Sequence, residues 1–388
     1  MIHQESSESI LSAFETVPAE MRCKIFELCV WSSVKSLSLV NRQFYQEVEP
    51  FRLTVTAQIT YNIVQQNGDL PEARYRHVMK FIRPNMICVY GGCSDSDNLG
   101  AHIYFYDTTT DRWTKHKLTG HIPTHFVDSF VWIEEYLSKT YLYNFGGVLN
   151  SFGTSSYSND VHRLNLESFE WEKLTATGDI PSARRHTAGF RYQGETILFS
   201  GESETASDLY DNETHNGHHD NQTYVFRKDS CIANVWTHRR CTGPIPTPRV
   251  DFGYANIHGN AYIFGGCTER SRVNDLWCLN LTSFIWTSIN VDSANIPHER
   301  GGHRMVAINE NELFMCGGWY NGDLQDCWIY NIELNKWTEY KNSNFTERCC
   351  FRMVSTAQKD NTTKVYVFGG ELNLQSNYLT ELGHFTFE

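Results

Sequence analysis

Two sets of residues in this chain have the types and spacing for chemistry. The first is the polar run that follows Ser200-Gly201: Glu202, Glu204-x3-Asp208, Asp211-x3-His215 and His218-His219-Asp220. Carboxylates and imidazoles at that density could hold iron, zinc or nickel. No single stretch completes a three-ligand word, and a long polar loop has no surrounding hydrogen bonds to fix its ligands. A solvated loop is therefore the main expectation, with no cofactor. The second set is a repeated turn: Pro71-x-x-Arg74, Pro181-x-x-Arg184, Pro246-x-x-Arg249, Pro297-x-x-Arg300, and a lone Arg348. Only the turn at residues 121–126 breaks it, with Phe126 in the arginine position. Arginine grips carboxylate or phosphate through two parallel hydrogen bonds. Five of them on one rim would suit an acidic or phosphorylated peptide. Equally, they could tie each structural unit to buried carboxylates or carbonyls. No nucleophile elbow, phosphate-cradling glycine loop or catalytic carboxylate pair is found. No enzyme activity is expected.

The elements that position these residues recur. Gly91-Gly92, Gly146-Gly147, Gly265-Gly266, Gly317-Gly318 and Gly369-Gly370 each close an apolar, strand-like run, and Ser200-Gly201 is a degenerate sixth copy. Counted from the second glycine, the steps are 55, 54, 65, 52 and 52 residues. After each variable loop a third strand alternates, as in residues 160–166. A fourth begins at Trp113, Trp171, Trp236, Trp286 or Trp337. A period near 50 residues with internal strands indicates a β-propeller. The doublets and tryptophans resemble Kelch repeats in register over residues 51–388. Those glycines serve tight turns, and the tryptophans are expected to pack between blades.

The chain's end at Phe387-Glu388 fits a third strand and leaves its blade without a fourth. The β-rich run at residues 51–61 precedes a turn resembling the one after Trp171. The expectation is therefore a six-bladed ring whose last blade takes its outer strand from residues near 53–64. Such closure removes free edges.

Bulk properties narrow the partners. The formal charge is −12, which argues against nucleic acid. No apolar run is long enough to span a membrane. The N-terminus lacks a basic segment followed by an apolar one, so it does not read as a signal peptide. Twelve scattered cysteines show no CxxC pair and read as reduced thiols of a cytoplasmic or nuclear protein.

Residues 1–14 are expected to be disordered. Residues 15–50 read as two short amphipathic helices. Thr16 can cap the first, with Pro18 at an early position and Met21, Ile25, Phe26 and Leu28 at helical spacing. Leu37, Val40, Phe44 and Val48 follow in the second. So short a segment cannot build its own core and needs a covering surface. Its words resemble the F-box, although Val17 stands where Leu is usual and Asn41 where Cys is common.

Together the chain resembles F-box proteins with Kelch repeats: an all-β six-bladed propeller preceded by a small helical segment. The resemblance implies the substrate adaptor of an SCF-type ubiquitin ligase. Pro18, Met21, Ile25, Phe26, Leu28, Leu37 and Val40 would meet a Skp1-type adaptor on its cullin scaffold. Arg74, Arg184, Arg249, Arg300, Arg348, Trp319 and Tyr320 would meet the target. One alternative is a Kelch interaction scaffold whose N-terminus is a cap on the propeller. Another is a metal-dependent Kelch enzyme using the 202–220 loop, whose words only partly match the iron-binding Glu-x3-Asp-x3-His loop of one such class. The copper oxidases of this fold need a Tyr, His and cross-linked Cys set that nothing here singles out.

Overall fold

The computed structural model describes residues 58–82, 84–94, 99–149, 156–203, 218–228, 234–291, 295–342, 344–357, 362–372 and 377–387. The expected disorder at 1–14, the helices at 15–50 and the loop residues 204–217 lie outside them. Regular structure among the described residues is β throughout.

Six antiparallel sheets follow the repeat. In the second blade Phe130–Tyr136, Lys139–Phe145, Val161–Asn165 and Glu170–Leu174 run in order. In the fourth, Gly253–Ile257, Asn260–Cys267, Arg272–Asn280 and Ile285–Ile289 do the same. Blades one, three and five are built alike, starting at Val78, Ala188 and Arg304.

The sixth blade has only Arg352–Ala357, Thr363–Phe368 and Leu382–Phe387 from the C-terminal end, and Tyr61–Ile63 pairs antiparallel with the last of these. The closing strand thus falls within the expected 53–64 span. Tyr61 lies opposite Phe385, as Trp286 lies opposite Leu279. A tyrosine therefore stands where the other five blades carry tryptophan, and it is fully buried.

The five tryptophans are at most 1% exposed. Four rest on the aromatic residue just before the doublet of the preceding blade: Trp171 on Tyr90, Trp236 on Phe145, Trp286 on Phe199 and Trp337 on Phe264. Trp113 meets Phe368 of the sixth blade in the same way, which carries the packing across the closure. A second link was not foreseen. Short segments after the outer strands pair parallel with the outer strand of the next blade, as Ala176–Gly178 does with residues 234–236. Gly178 has a φ of +82°, and a Cβ there would lie 2.2 Å from the Trp236 carbonyl oxygen. Only glycine fits.

Candidate interaction face

The arginine turns and the loops after the doublets meet at one end of the propeller, as the sequence implied. The residue after each arginine bridges the residue after its own blade's doublet: Tyr75 to Cys93, Val250 to Cys267, Gly301 to Trp319 and Cys349 to Glu371. Arg185 pairs with Glu202 in the same way.

The five arginines themselves do not face a ligand. Arg74, Arg249, Arg300 and Arg348 are fully buried and Arg184 is 2% exposed. Each donates Nε to the carbonyl two residues upstream and Nη1 to the carbonyl of the first doublet position. Four also hold a carboxylate near the start of the third strand: Asp220, Asp275, Asp326 and Glu381. Arg300 reaches Asp326 with two bonds of 2.6 Å. Burial opposes the Asp275 and Asp326 charges, but the arginines outweigh it and hold both carboxyls below the usual range. These side chains are clamps inside their blades. The ligand-binding role assigned to Arg74, Arg184, Arg249, Arg300 and Arg348 is thereby corrected, because each guanidinium is buried and bonded to carbonyls inside its own blade, out of reach of a peptide at the mouth. The argument for an anionic target goes with it.

The residues that face the channel stand two positions further on. Arg76, Asp128, His186, Asp251, Gly302 and Cys350 form a ring, one per blade, all with φ between 52° and 70°. Their backbones pass hydrogen bonds around the axis: Arg76 to Cys350, Asp128 to Arg76, His186 to Asp128, Gly302 to Asp251 and Cys350 to Gly302. Arg76 lies 2.7 Å from its ring neighbour Asp128 and, across the opening, 3.7 Å from Asp251. Arg352 adds a 3.3 Å contact to Asp128.

His186 Nε2 lies 2.7 Å from the Arg76 guanidinium and 3.3 Å from Asp128, and its Nδ1 lies 3.0 Å from Asp251. Burial works against the Asp251 charge, but His186 and Arg76 hold its carboxyl well below the ordinary range. The ring is a polar plug joining blades on opposite sides. The channel keeps a cavity of about 200 Å³ lined by residues such as His77, Lys80, Ser129 and Arg304. Sequence reading missed this ring. Its one signal is position, since the residue types share no pattern.

Around the plug, aromatic side chains stay partly exposed. Trp319 and Tyr320 are half-buried on the loop after Gly318. The Arg272 guanidinium lies 3.8 Å from the Trp319 ring centre, and Tyr320 stacks on His298 at 5.8 Å. Tyr75 and Tyr378, also half-buried, stack at 4.8 Å. Glu202, which opens the polar run after Gly201, is only 1% exposed. Arg185 takes it bidentately at 3.1 and 3.2 Å, and Tyr157 donates to it at 2.9 Å. Burial would raise its pKa, yet Arg185 and His186 bring it down to about 2. Glu269 and Arg270 remain exposed. Among the described residues no three His, Cys, Asp or Glu side chains gather to hold a metal.

Comparison with known proteins fits this geometry. The model of the KLHDC2/KLHL20/DRC7 Kelch-repeats domain matches residues 46–216 and 212–370. The chain belongs to this Kelch-repeat family. Kelch domain-containing protein 1 of Mus musculus is 29% identical over 69% of this chain and 67% of its own length. Kelch domain-containing protein 2 of Bos taurus is 25% identical over 70% and 67%. A solved structure titled "Structure of YjhT" superposes with a TM-score of 0.62 at 16% identity, covering 82% of this chain and 95% of that one. That likeness concerns the fold alone. The chain is a Kelch-repeat protein with an interaction propeller. The family match leaves residues 15–45 outside it.

Proposed function

We propose that this chain is a non-enzymatic recognition subunit of an SCF-type ubiquitin ligase. Residues 15–50 dock on a Skp1-type adaptor through Pro18, Met21, Ile25, Phe26, Leu28, Leu37 and Val40. The Kelch propeller holds a target protein at the mouth that carries Trp319 and Tyr320. The mechanism is proximity: two binding events on one chain raise the effective concentration of the target beside the ubiquitin-charged enzyme.

The observation that carries the target half is the set of half-buried aromatics at one mouth, Trp319, Tyr320, Tyr75 and Tyr378. Such side chains anchor interfaces at low entropic cost. The adaptor half rests on the F-box-like words at 15–50. An interaction scaffold without a ligase link is the second reading, favoured by a family match that begins only at residue 46.

The test of the target half is a Trp319→Ser/Tyr320→Ser variant, with bound proteins quantified beside the parent. Loss of targets with the adaptor retained is expected. Undiminished capture by the variant would place the target on another surface.

A further inference from the structure

Blade two lacks the arginine, and the space the arginine occupies elsewhere is open. The clamp of blade four shows what the slot offers. Arg249 donates to the Thr247 carbonyl at 3.1 Å, to the Gly265 carbonyl at 3.1 Å and to Asp275 at 2.6 and 2.9 Å. The corresponding groups of blade two are Thr124, Gly146 and Asp160. All three line a single cavity of about 220 Å³.

Phe126 does not fill that slot. Its ring turns toward blade one, where a Cβ placed on Gly100 would lie 2.5 Å from Phe126 Cε1 and where Tyr90 stands 6.1 Å away. Five acceptor sets therefore hold an arginine of their own chain, and a sixth keeps its acceptors without one.

Blade two departs from the others in a second way. The residue before the last apolar position of the second strand is Val89, Leu198, Ile263, Met315 or Val367 elsewhere, each at most 1% exposed. Here it is Asn144, also 1% exposed, and its Oδ1 has no hydrogen-bond partner among the described residues. A buried amide oxygen left unpaired costs about 1–3 kcal/mol. Asn144 lines the cavity and pairs in register with His162, which lines it too. At the His162 position blade one has Tyr104, and the Arg74 guanidinium lies 5.2 Å from that ring. The slot thus offers a carboxylate, a carbonyl, an unpaired amide oxygen and a flat ring, which is the set that suits a guanidinium.

Asp160 is held meanwhile by Lys173 at 2.8 Å, with the two side chains 40% and 53% exposed. An exposed pair of this kind contributes about 0–1 kcal/mol, so the lysine can swing away.

We propose that this slot binds a guanidinium group on an alkyl stem, supplied by an arginine side chain of a partner protein or by a small guanidinium compound. The site is independent of adaptor docking at residues 15–50.

The full-length protein is titrated calorimetrically with methylguanidine, with capped Gly-Arg-Gly and with capped Gly-Lys-Gly. Both guanidinium probes are expected to bind, the lysine peptide more weakly by about tenfold. Tighter binding of the arginine peptide than of methylguanidine assigns the site to a partner's arginine. Equal binding assigns it to a small compound. Asp160→Asn should weaken binding by about tenfold and Asn144→Leu by about threefold, while Lys173→Ala should strengthen it by about threefold. Phe126→Arg should abolish binding by supplying the missing clamp internally. Should that variant fail to fold, the Asp160 and Asn144 variants carry the test, with melting temperatures confirming that they are folded. No binding by the parent up to about 10 mM probe, equal binding of the lysine peptide, or unchanged binding in Asp160→Asn would overturn the proposal.

Discussion

The amide of Gly370 donates to the carbonyl of Arg74 at 3.0 Å, and this contact latches the last blade onto the first. Gly266 to Arg300 at 2.8 Å and Gly318 to Arg348 at 2.9 Å are the same contact between consecutive blades. The arginine is thus shared. Its backbone accepts from the doublet of the preceding blade, and its side chain holds the doublet of its own. Gly370 has a φ of +107°, and a Cβ there would lie 2.9 Å from that of Phe351.

Gly370→Ala is therefore expected to destabilise the propeller by about 2–3 kcal/mol. Tyr61→Ala should cost about 3–5 kcal/mol, because it empties a fully buried site between Phe345 and Phe385. Urea denaturation of both variants measures this. Parent-like midpoints would mean that the ring is not held shut at this seam.

The clamps differ in completeness. Arg249 has Asp275, whereas among the described residues Arg74 has no carboxylate and its Nη2 has no partner. His102 occupies the blade-one position where the fourth blade has Asp275, just before the paired residues Ile103 and Leu276. His102→Asp is expected to stabilise the protein by about 1 kcal/mol by giving Arg74 its missing acceptor. Arg249→Met should destabilise it by about 3 kcal/mol. Thermal unfolding of both variants decides. A lower melting point for His102→Asp would contradict the clamp.

Two buried groups contribute acid sensitivity in separate windows. Burial lowers the His162 pKa from 6.5 to about 4. The unfolded chain takes up this proton first, so stability present above pH 6.5 falls as pH drops toward 4, by on the order of 3 kcal/mol. Glu202, at about 2 instead of 4.5, contributes stability above pH 4.5 that is lost as pH falls toward 2. His162→Phe should reduce the slope in the first window, which His77 and His303 share, and Glu202→Gln should reduce it in the second, which Asp251, Asp275 and Asp326 share. Stability measured against pH for each variant checks the assignment, and an unaltered slope in its own window would reject it.

Much of the ring was legible because each repeat states it again. The doublets and tryptophans gave blade count and register, and the unpaired C-terminal strand pointed to Tyr61–Ile63. The fate of the arginines was not read, although its signal was present. Asp160, Asp275 and Asp326 recur near the start of the third strand, and Arg249 and Arg300 meet Asp275 and Asp326 only after the sheet has folded. A repeated arginine beside a repeated acid is more often a clamp than a ligand site. The channel ring of Arg76, Asp128, His186 and Asp251 escaped because its residue types vary. Only the backbone conformation is common to its members. The slot in blade two was visible as the break at Phe126, but its meaning needed the direction in which that ring turns.

The most direct test of the recognition-subunit account is co-expression of the full-length chain with a Skp1-type adaptor, beside an Ile25→Asp/Phe26→Asp variant. The account predicts that the parent brings the adaptor through purification in a stoichiometric complex and that the variant, still folded, does not. A soluble, folded parent that leaves the adaptor behind would contradict it and leave the propeller as a scaffold without a ligase link.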